Sequence, residues 1–295
     1  MTVIVAAMGW SWQETEVDPL TGAVSADPRD RRPGQPELAA LEHALRLAQR
    51  WDARVVAATV GPAEADPMLR DALAAGAAEA LRVEPAGGAA GRQPADLVGG
   101  GQESAAALAA ALRQRYGVPD LVLCGDRSAD RGTGSFPAFL AAALSAAQVL
   151  GVVRMEPEDG GGVLRVHRRL DGGRREVLLV PRPAVVSVEA AGIRLRRAGL
   201  PATLASGHVA IPVVRAPAAT AAHRIRVLGA HPYRPRPREL AGPSGSALRR
   251  TLELTGALVE RTPPTVLGPL SPGQAADELL GYLRRHGYLA DSDAG

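Results

Sequence analysis

The apolar residues of this chain fall first into short, nearly unbroken runs, each followed by a segment whose apolar positions recur at helical spacing. Val3 to Ala7, Val55 to Val60, Ala80 to Val83 and Asp120 to Cys124 read as strands buried on both faces, since their apolar residues are nearly continuous rather than alternating. Pro36-Glu37 open a helix with Leu38, Leu41, Ala44, Leu45 and Ala48 on one face. Asp66-Pro67 start a second, carrying Met68, Leu69, Ala72 and Leu73 and stopping at Gly76. Ser104 caps a third, Ala/Leu-rich through Leu112, and Phe136-Pro137 start a fourth that runs to Leu144. This alternation predicts a mostly parallel sheet with helices on both faces, a Rossmann-like three-layer α/β/α architecture. Right-handed crossovers bring the loops after Ala6, Val60 and Cys124 to one sheet edge, where such folds keep their ligand crevice.

Two connections interrupt the rhythm. Gly9 to Gln35 is long and polar, with Asp18-Pro19 and Thr21-Gly22 turns, and Glu84 to Gly101 is a Gly/Pro/Ala-rich surface loop. After Leu150 the pattern changes to strands at Val152–Glu156, Val163–Leu170 and Arg175–Val180, joined by the turns Gly160-Gly161-Gly162 and Asp171-Gly172-Gly173. These predict an antiparallel extension of the sheet, with Ala184–Val188 as a further buried strand. The expected organisation is a nucleotide-binding-type domain over 1–211, a Pro/Arg-rich linker over 212–270 and an amphipathic helical arm over 271–295. The linker includes the Arg/Pro alternation of 234–238 and one amphipathic piece near Leu248-Leu252-Leu254. The arm presents Ala276, Leu279, Leu280 and Leu283 on one side.

Composition changes this picture little. The 295 residues, 46% hydrophobic and 22% charged, suffice for a full core, but at 3% aromatics it must be built from Ala, Val and Leu. All 34 basic residues are Arg, a bias that with the abundant Ala, Gly and Pro reads as genome composition. A net charge of +3, with no basic stripe interleaved with aromatics, argues against nucleic acid. No apolar run spans a bilayer, so no membrane insertion is expected, and Met1 to Met8 lacks a basic leader. A soluble cytoplasmic protein is the expectation. The single Cys124 lies in an apolar strand, as a small buried hydrophobe would.

Candidate chemistry concentrates where the fourth strand ends. Gly125-Asp126-Arg127-Ser128-Ala129-Asp130-Arg131-Gly132-Thr133-Gly134-Ser135 leads directly into the helix at Phe136. Small residues let backbone N–H groups approach an anion, and a helix N-terminus favours negative charge. Ser128, Thr133 and Ser135 add hydroxyl donors, while Arg127 and Arg131 offset phosphate charge. The loop has neither the Gly-Lys-Ser/Thr of a P-loop nor GxGxxG spacing. On pattern alone two readings stand, a nucleotide-phosphate cradle or a loop that only turns the chain.

Other chemistry finds no anchor. His43, His167, His208, His223, His231 and His286 carry no metal-ligand spacing. Asp126 and Asp130 read as caps of backbone N–H groups rather than as a metal or acid–base pair. Trp10 and Trp12 suit stacking on an adenine or flavin, packing within their loop, or facing a partner. No Gly-x-Ser-x-Gly, HExxH or CxxC occurs.

Taken together, three segments resemble the electron transfer flavoprotein beta subunit family. They are Glu37 to Leu47, then Val60-Gly61-Pro62-Ala63-Glu64 with Met68 to Ala77, and Gly125 to Gly134. Arg169-Leu170-Asp171-Gly172-Gly173 and Pro183 to Val188 follow in family order. The resemblance covers residues 1–211. It implies a heterodimer with an FAD-bearing alpha subunit and a structural AMP held by this chain, with a second FAD in electron-bifurcating members. By position, the nucleotide would touch Ala6, Val60, the turn Gln35-Pro36-Glu37 and the loop from Gly125 to Phe136. Leu200 and Pro201 stand where the family's recognition loop meets a dehydrogenase.

The chain also departs from the family. Gly34-Gln35-Pro36 replaces the usual Asn-Pro turn, and Arg127 replaces a Gln. Thr133-Gly134-Ser135-Phe136 replaces the ending typical of flavin-holding beta subunits, so a second FAD is not expected here. Ala205-Ser206-Gly207-His208-Val209 replaces the Lys-rich run after the recognition loop, and the section after Pro212 differs from the usual ending. Two functions are carried forward: an electron-carrier subunit without catalytic residues of its own, and an adenine-nucleotide-binding α/β enzyme of hydrolase or adenylating type.

Overall fold

The computed structural model describes residues 2–25, 27–84, 100–129, 132–158, 162–216, 245–257 and 266–289. The chain opens with β1 (Val3–Ala7), and the long polar connection carries four two-residue strands, β2 (Ser11–Trp12), β3 (Glu16–Val17), β4 (Val24–Ser25) and β5 (Arg31–Arg32). α1 (Gln35–Trp51), β6 (Arg54–Val60), α2 (Asp66–Ala75), β7 (Glu79–Glu84), α3 (Gly100–Tyr116), β8 (Leu121–Gly125) and α4 (Phe136–Leu144) complete the alternating part. Then come β9 (Ala147–Pro157), β10 (Val163–Arg169), β11 (Arg175–Pro181), β12 (Ala184–Val188), α5 (Leu200–Gly207) and β13 (Val213–Arg215). α6 (Ala247–Leu254) and α7 (Pro272–Arg285) follow.

One nine-stranded sheet has the order β11-β10-β9-β12-β8-β1-β6-β7-β13. Strands β13 to β9 along that order pair in parallel, and β10 and β11 add the antiparallel hairpin. Alternation within β1 explains why its apolar run is continuous. Ile4 and Ala6 pack with Leu41 of α1 and Leu69 of α2 on one face. Val5 and Ala7 pack with Leu108 of α3 and Leu140 of α4 on the other. The chain therefore winds outward from β1 over one face and returns over the opposite face to β8, at β1's side. That reversal makes the β1/β8 boundary the topological switch point.

Helix ends follow local chemistry. Proline sits in the first turns of α1, α2 and α4, and α1 closes on Asp52 in the left-handed region (φ 49°), a conformation a short polar side chain tolerates. Other boundaries differ from the sequence expectation. α3 begins at Gly100, not at Ser104, which lies inside it; glycine at a helix start is invisible to propensity when the first turn docks on another helix. β9 starts at Ala147, before the expected change of rhythm, and pairs in parallel with β12 as well as antiparallel with β10. β13 lies just beyond the expected boundary at 211 and pairs with β7, although three residues are too short to show periodicity. Contacts divide the chain into Met1–Arg234 and Pro235–Gly295. In the second unit, α6 occupies the amphipathic piece, and α7 starts from a Ser271/Gln274 capping box. The Arg/Pro alternation of 234–238 lies outside the described residues. Among the described residues no helix is long and apolar enough to cross a membrane.

Candidate functional site

A crevice of about 170 Å³ opens at the carboxyl ends of β1, β6 and β8, at the switch point. β1 contributes Ala7 and the residues after it, Met8 to Ser11; β6 contributes Ala58 to Val60; β8 contributes Cys124 and Gly125. Three helices begin there: α1 brings Glu37, α3 brings Gly101 and Ser104, and α4 brings Phe136 and Pro137. The first turn of each helix has backbone N–H groups without intrahelical partners.

The loop after β8 is folded tightly on itself. The Ser128 amide donates to the Thr133 carbonyl (3.0 Å) and the Gly132 amide to the Ser128 carbonyl (2.9 Å). Gly132 has φ +62°, where a side chain would be strained. A side chain on Gly134 would stand 2.6 Å from the Asp126 carbonyl oxygen, so only glycine lets the loop close. Two loop amides are thus used internally. Arg127 and the hydroxyl-bearing Ser128 and Thr133 are the loop side chains that border the crevice. At the neighbouring helix start, Gly101 is pressed against α4: a Cβ there would lie 3.2 Å from Ser135 Oγ. Asp126 Oδ1 is buried without a hydrogen-bond partner among the described residues, while the Asp126 amide donates to the Val188 carbonyl (3.0 Å).

Of the residues singled out from sequence, Glu37, Val60, Gly125, Arg127, Ser128, Thr133 and Phe136 line the crevice. Ala6 does not: it is fully buried within the sheet, and its neighbour Ala7 takes the edge, because side chains alternate along β1. Gln35 lines a different cavity of about 610 Å³ between α1, α2 and the long connection. Pro36 packs over Gly125, its Cβ 3.0 Å from where a Gly125 Cβ would be. Asp126, Ala129, Gly132, Gly134 and Ser135 shape the loop without lining the crevice. Asp130 and Arg131 lie outside the described residues. Sequence reading missed Gly9, Ser11, Thr59, Gly101 and Ser104; the glycine run at 99–101 ahead of an Ala/Leu helix was the available signal for α3.

Trp10 lines the crevice, and Arg31 stacks on both tryptophans, 4.7 Å from the Trp10 ring centroid and 3.8 Å from that of Trp12. Cys124 is buried beside the crevice; burial, and then the Glu37 charge, push its thiol pKa far up, so it is held as the neutral thiol. Leu200 and Pro201 begin α5, which packs on α2 and leaves Leu200 and Leu204 exposed. Among the described residues no group of three or more His, Cys, Asp or Glu is placed to hold a metal ion.

A profile of the electron transfer flavoprotein domain matches residues 26–219, a span that includes α1, the glycine loop, α5 and β13. The chain belongs to the electron transfer flavoprotein domain family. It is 30% identical over 171 residues to "Protein FixA" of Azorhizobium caulinodans, covering 56% of this chain and 57% of that protein. It is 30% identical over 175 residues to "Electron transfer flavoprotein subunit beta" of Thermoanaerobacterium thermosaccharolyticum, covering 59% and 62% respectively. "Protein FixA" of Rhizobium meliloti is 29% identical over 171 residues, covering 56% and 54%. Matching segments thus span between about half and three-fifths of these curated relatives. Within the electron transfer flavoprotein match lie Glu37 and the whole glycine loop, whereas Trp10 and the end of β1 lie ahead of it.

Proposed function

We propose that this chain is the beta-type subunit of an electron transfer flavoprotein and holds an adenine nucleotide, AMP, as a structural ligand at the switch-point crevice. Its partner is an FAD-bearing alpha-type subunit, and the pair carries electrons between dehydrogenases and an acceptor in the cytoplasm. The observation that supports this best is the convergence of the glycine loop with the starts of α3 and α4 at one crevice, inside the family match. Gly125, Arg127, Ser128, Thr133 and Phe136 would border the phosphate, and Val60 and Glu37 the nucleoside.

The electron-carrying chemistry would come from the partner's FAD, and no catalytic step is assigned to this chain. The family's second FAD is not proposed here, because Thr133-Gly134-Ser135-Phe136 replaces the flavin-holding ending. Leu200, with Pro201 at the start of α5, is the proposed anchor for a dehydrogenase, since it is 70% exposed on a short helix held by α2.

Co-expression with a neighbouring alpha-type subunit, followed by denaturation and chromatography of released nucleotides, tests the assignment. One AMP per chain, with FAD appearing only with the partner, is the expected result. A pair without adenine nucleotide beyond its FAD overturns it. Leu200→Glu should then abolish electron transfer from the dehydrogenase without releasing AMP.

A further inference from the structure

Thr59, the next-to-last residue of β6, is 1% exposed and lines the crevice between Ala58 and Val60. Its Oγ1 is buried without a hydrogen-bond partner among the described residues. The strands on either side do not supply one. Arg82 stands opposite it in the register with β7, but the Arg82 guanidinium is committed to the turn between β6 and α2. Nε donates to Asp66 Oδ1 at 2.7 Å and Nη1 to the Gly61 carbonyl at 3.4 Å. On the other side, β1 and the residue after it offer Ala7 and Met8, whose side chains carry no nitrogen or oxygen.

An unpaired buried hydroxyl destabilises a folded chain, and native structures keep few such groups. Packing does not require this one. After Arg54, β6 is otherwise built from Val and Ala, and Val would fill the same space as Thr59. The other crevice hydroxyls are placed differently: Ser128 Oγ and Thr133 Oγ1 meet at 3.4 Å, and Ser11 Oγ accepts from Gln13 Nε2 at 3.4 Å. Because the sheet order runs β8-β1-β6, Thr59 stands two strand spacings, about 10 Å, across the sheet from the end of β8. A mononucleotide whose phosphate rests on the glycine loop and the start of α4 brings its base toward β6.

Building on the nucleotide reading above, we propose that Thr59 is the residue through which the crevice recognises the nucleobase. Its hydroxyl bonds to the edge of the base, which a hydroxyl can serve as donor or as acceptor. The glycine loop binds what any sugar phosphate offers, and Thr59 adds the part of the affinity that requires a base. The chain leaves this hydroxyl without an internal partner, and the base supplies one.

Titration calorimetry of the nucleotide-free, full-length chain with AMP and with ribose 5-phosphate, which lacks the base, tests it together with thermal unfolding. Thr59→Val keeps the shape of the side chain and removes the hydroxyl. It should weaken AMP binding by at least about fivefold and leave ribose 5-phosphate within about twofold of its wild-type affinity. It should also raise the melting temperature of the nucleotide-free chain, because the unpaired group is gone. Thr59→Ser, which keeps the hydroxyl, should bind AMP within about twofold of wild type. Equal wild-type affinity for the two ligands overturns the proposal without any variant. So does unchanged AMP binding in a folded Thr59→Val chain, or equal weakening of both ligands, which would make Thr59 a packing residue only. A lower melting temperature in Thr59→Val would mean that the hydroxyl is satisfied within the chain, and overturns it too. Failure of wild type to bind AMP at all overturns the nucleotide reading itself, and this assignment with it.

Discussion

The buried carboxylate of Glu42 in α1 grips Arg196, 154 residues away, through both its backbone and its side chain. Arg196 N and Nε donate to Oε2 at 3.0 Å each, and Nη2 donates to Oε1 at 3.1 Å. Arg46 Nε adds a 2.8 Å bond to Oε1 from one turn along the helix. The segment that leads into α5, and so to Leu200, is tied to the helix that also carries Glu37.

Removing the Arg196 side chain leaves a nearly buried charge with Arg46 as its remaining cation and the backbone amide of residue 196 as a neutral donor. Arg196→Ala is expected to destabilise the chain by about 2 kcal/mol or more, measured by urea unfolding. Arg46→Ala should cost less than about 1 kcal/mol, since the Arg46 side chain is 59% exposed. Equal losses would show that the long-range pair is no anchor.

Stability should fall in mild acid because of His43. Burial, with a further contribution from the Arg46 charge, lowers its pKa from 6.5 to about 4, outweighing the opposing Glu42 charge. The unfolded chain takes up this proton below pH 6.5 while the folded chain does not, so stability present above 6.5 is lost as pH falls toward about 4. Between about pH 7 and about pH 5 the loss should be on the order of 2 kcal/mol, and His43→Gln should remove most of it. Glu42 acts at lower pH. Its burial raises the pKa, but the hydrogen bonds from Arg196 and Arg46 prevail and hold it below the usual carboxylate value. Its contribution is present above that usual value and is lost as pH falls through the lowered one. A wild-type unfolding free energy that is flat across this range would contradict the His43 assignment.

The glycine loop offers a sharp steric test. Gly134→Ala places a methyl group against the Asp126 carbonyl, at 2.6 Å before relaxation, and should strip bound nucleotide from the purified complex. Gly207→Ala is the control, because a Cβ there meets nothing within 4 Å. Loss of nucleotide in both variants, or in neither, would separate occupancy from loop closure.

The arm is expected to clasp the alpha-type partner. α7 has its own capping box and leaves Leu279 59% and Leu280 39% exposed, a stripe that also includes Ala276 and Leu283. Burying such a stripe contributes on the order of 5 kcal/mol before ordering costs. Deleting residues 271–295 should leave the isolated chain's melting temperature unchanged and abolish co-purification with the partner. A lower melting temperature with pairing intact would mean that the helix serves its own chain.

Local sequence determined the repeating units of this protein. Continuous apolar runs specified strands buried on both faces, helical spacing specified α1, α2, α4 and α7, and their alternation specified a parallel sheet with one ligand edge. The glycine loop was legible for the same reason: a strand, small residues and a Pro-started helix are neighbours in sequence. Tertiary structure decided what depends on distant elements meeting. Ala6 yields the edge to Ala7 because side-chain alternation is set by which helices cover each face. Gln35 is turned to a second cavity by the rotation of α1, three-residue β13 exists only because β7 offers it an edge, and α3 starts at Gly100 because Gly101 can press against Ser135. The carboxylate of Glu37 is seated against Gly9, Gly34 and Gly125, where a Cβ would lie 3.1, 2.6 and 2.8 Å from it, and no periodicity relates them. Each tolerates the absence of a side chain alone; only the packing of β1, β8 and α1 places their bare backbones around one carboxylate.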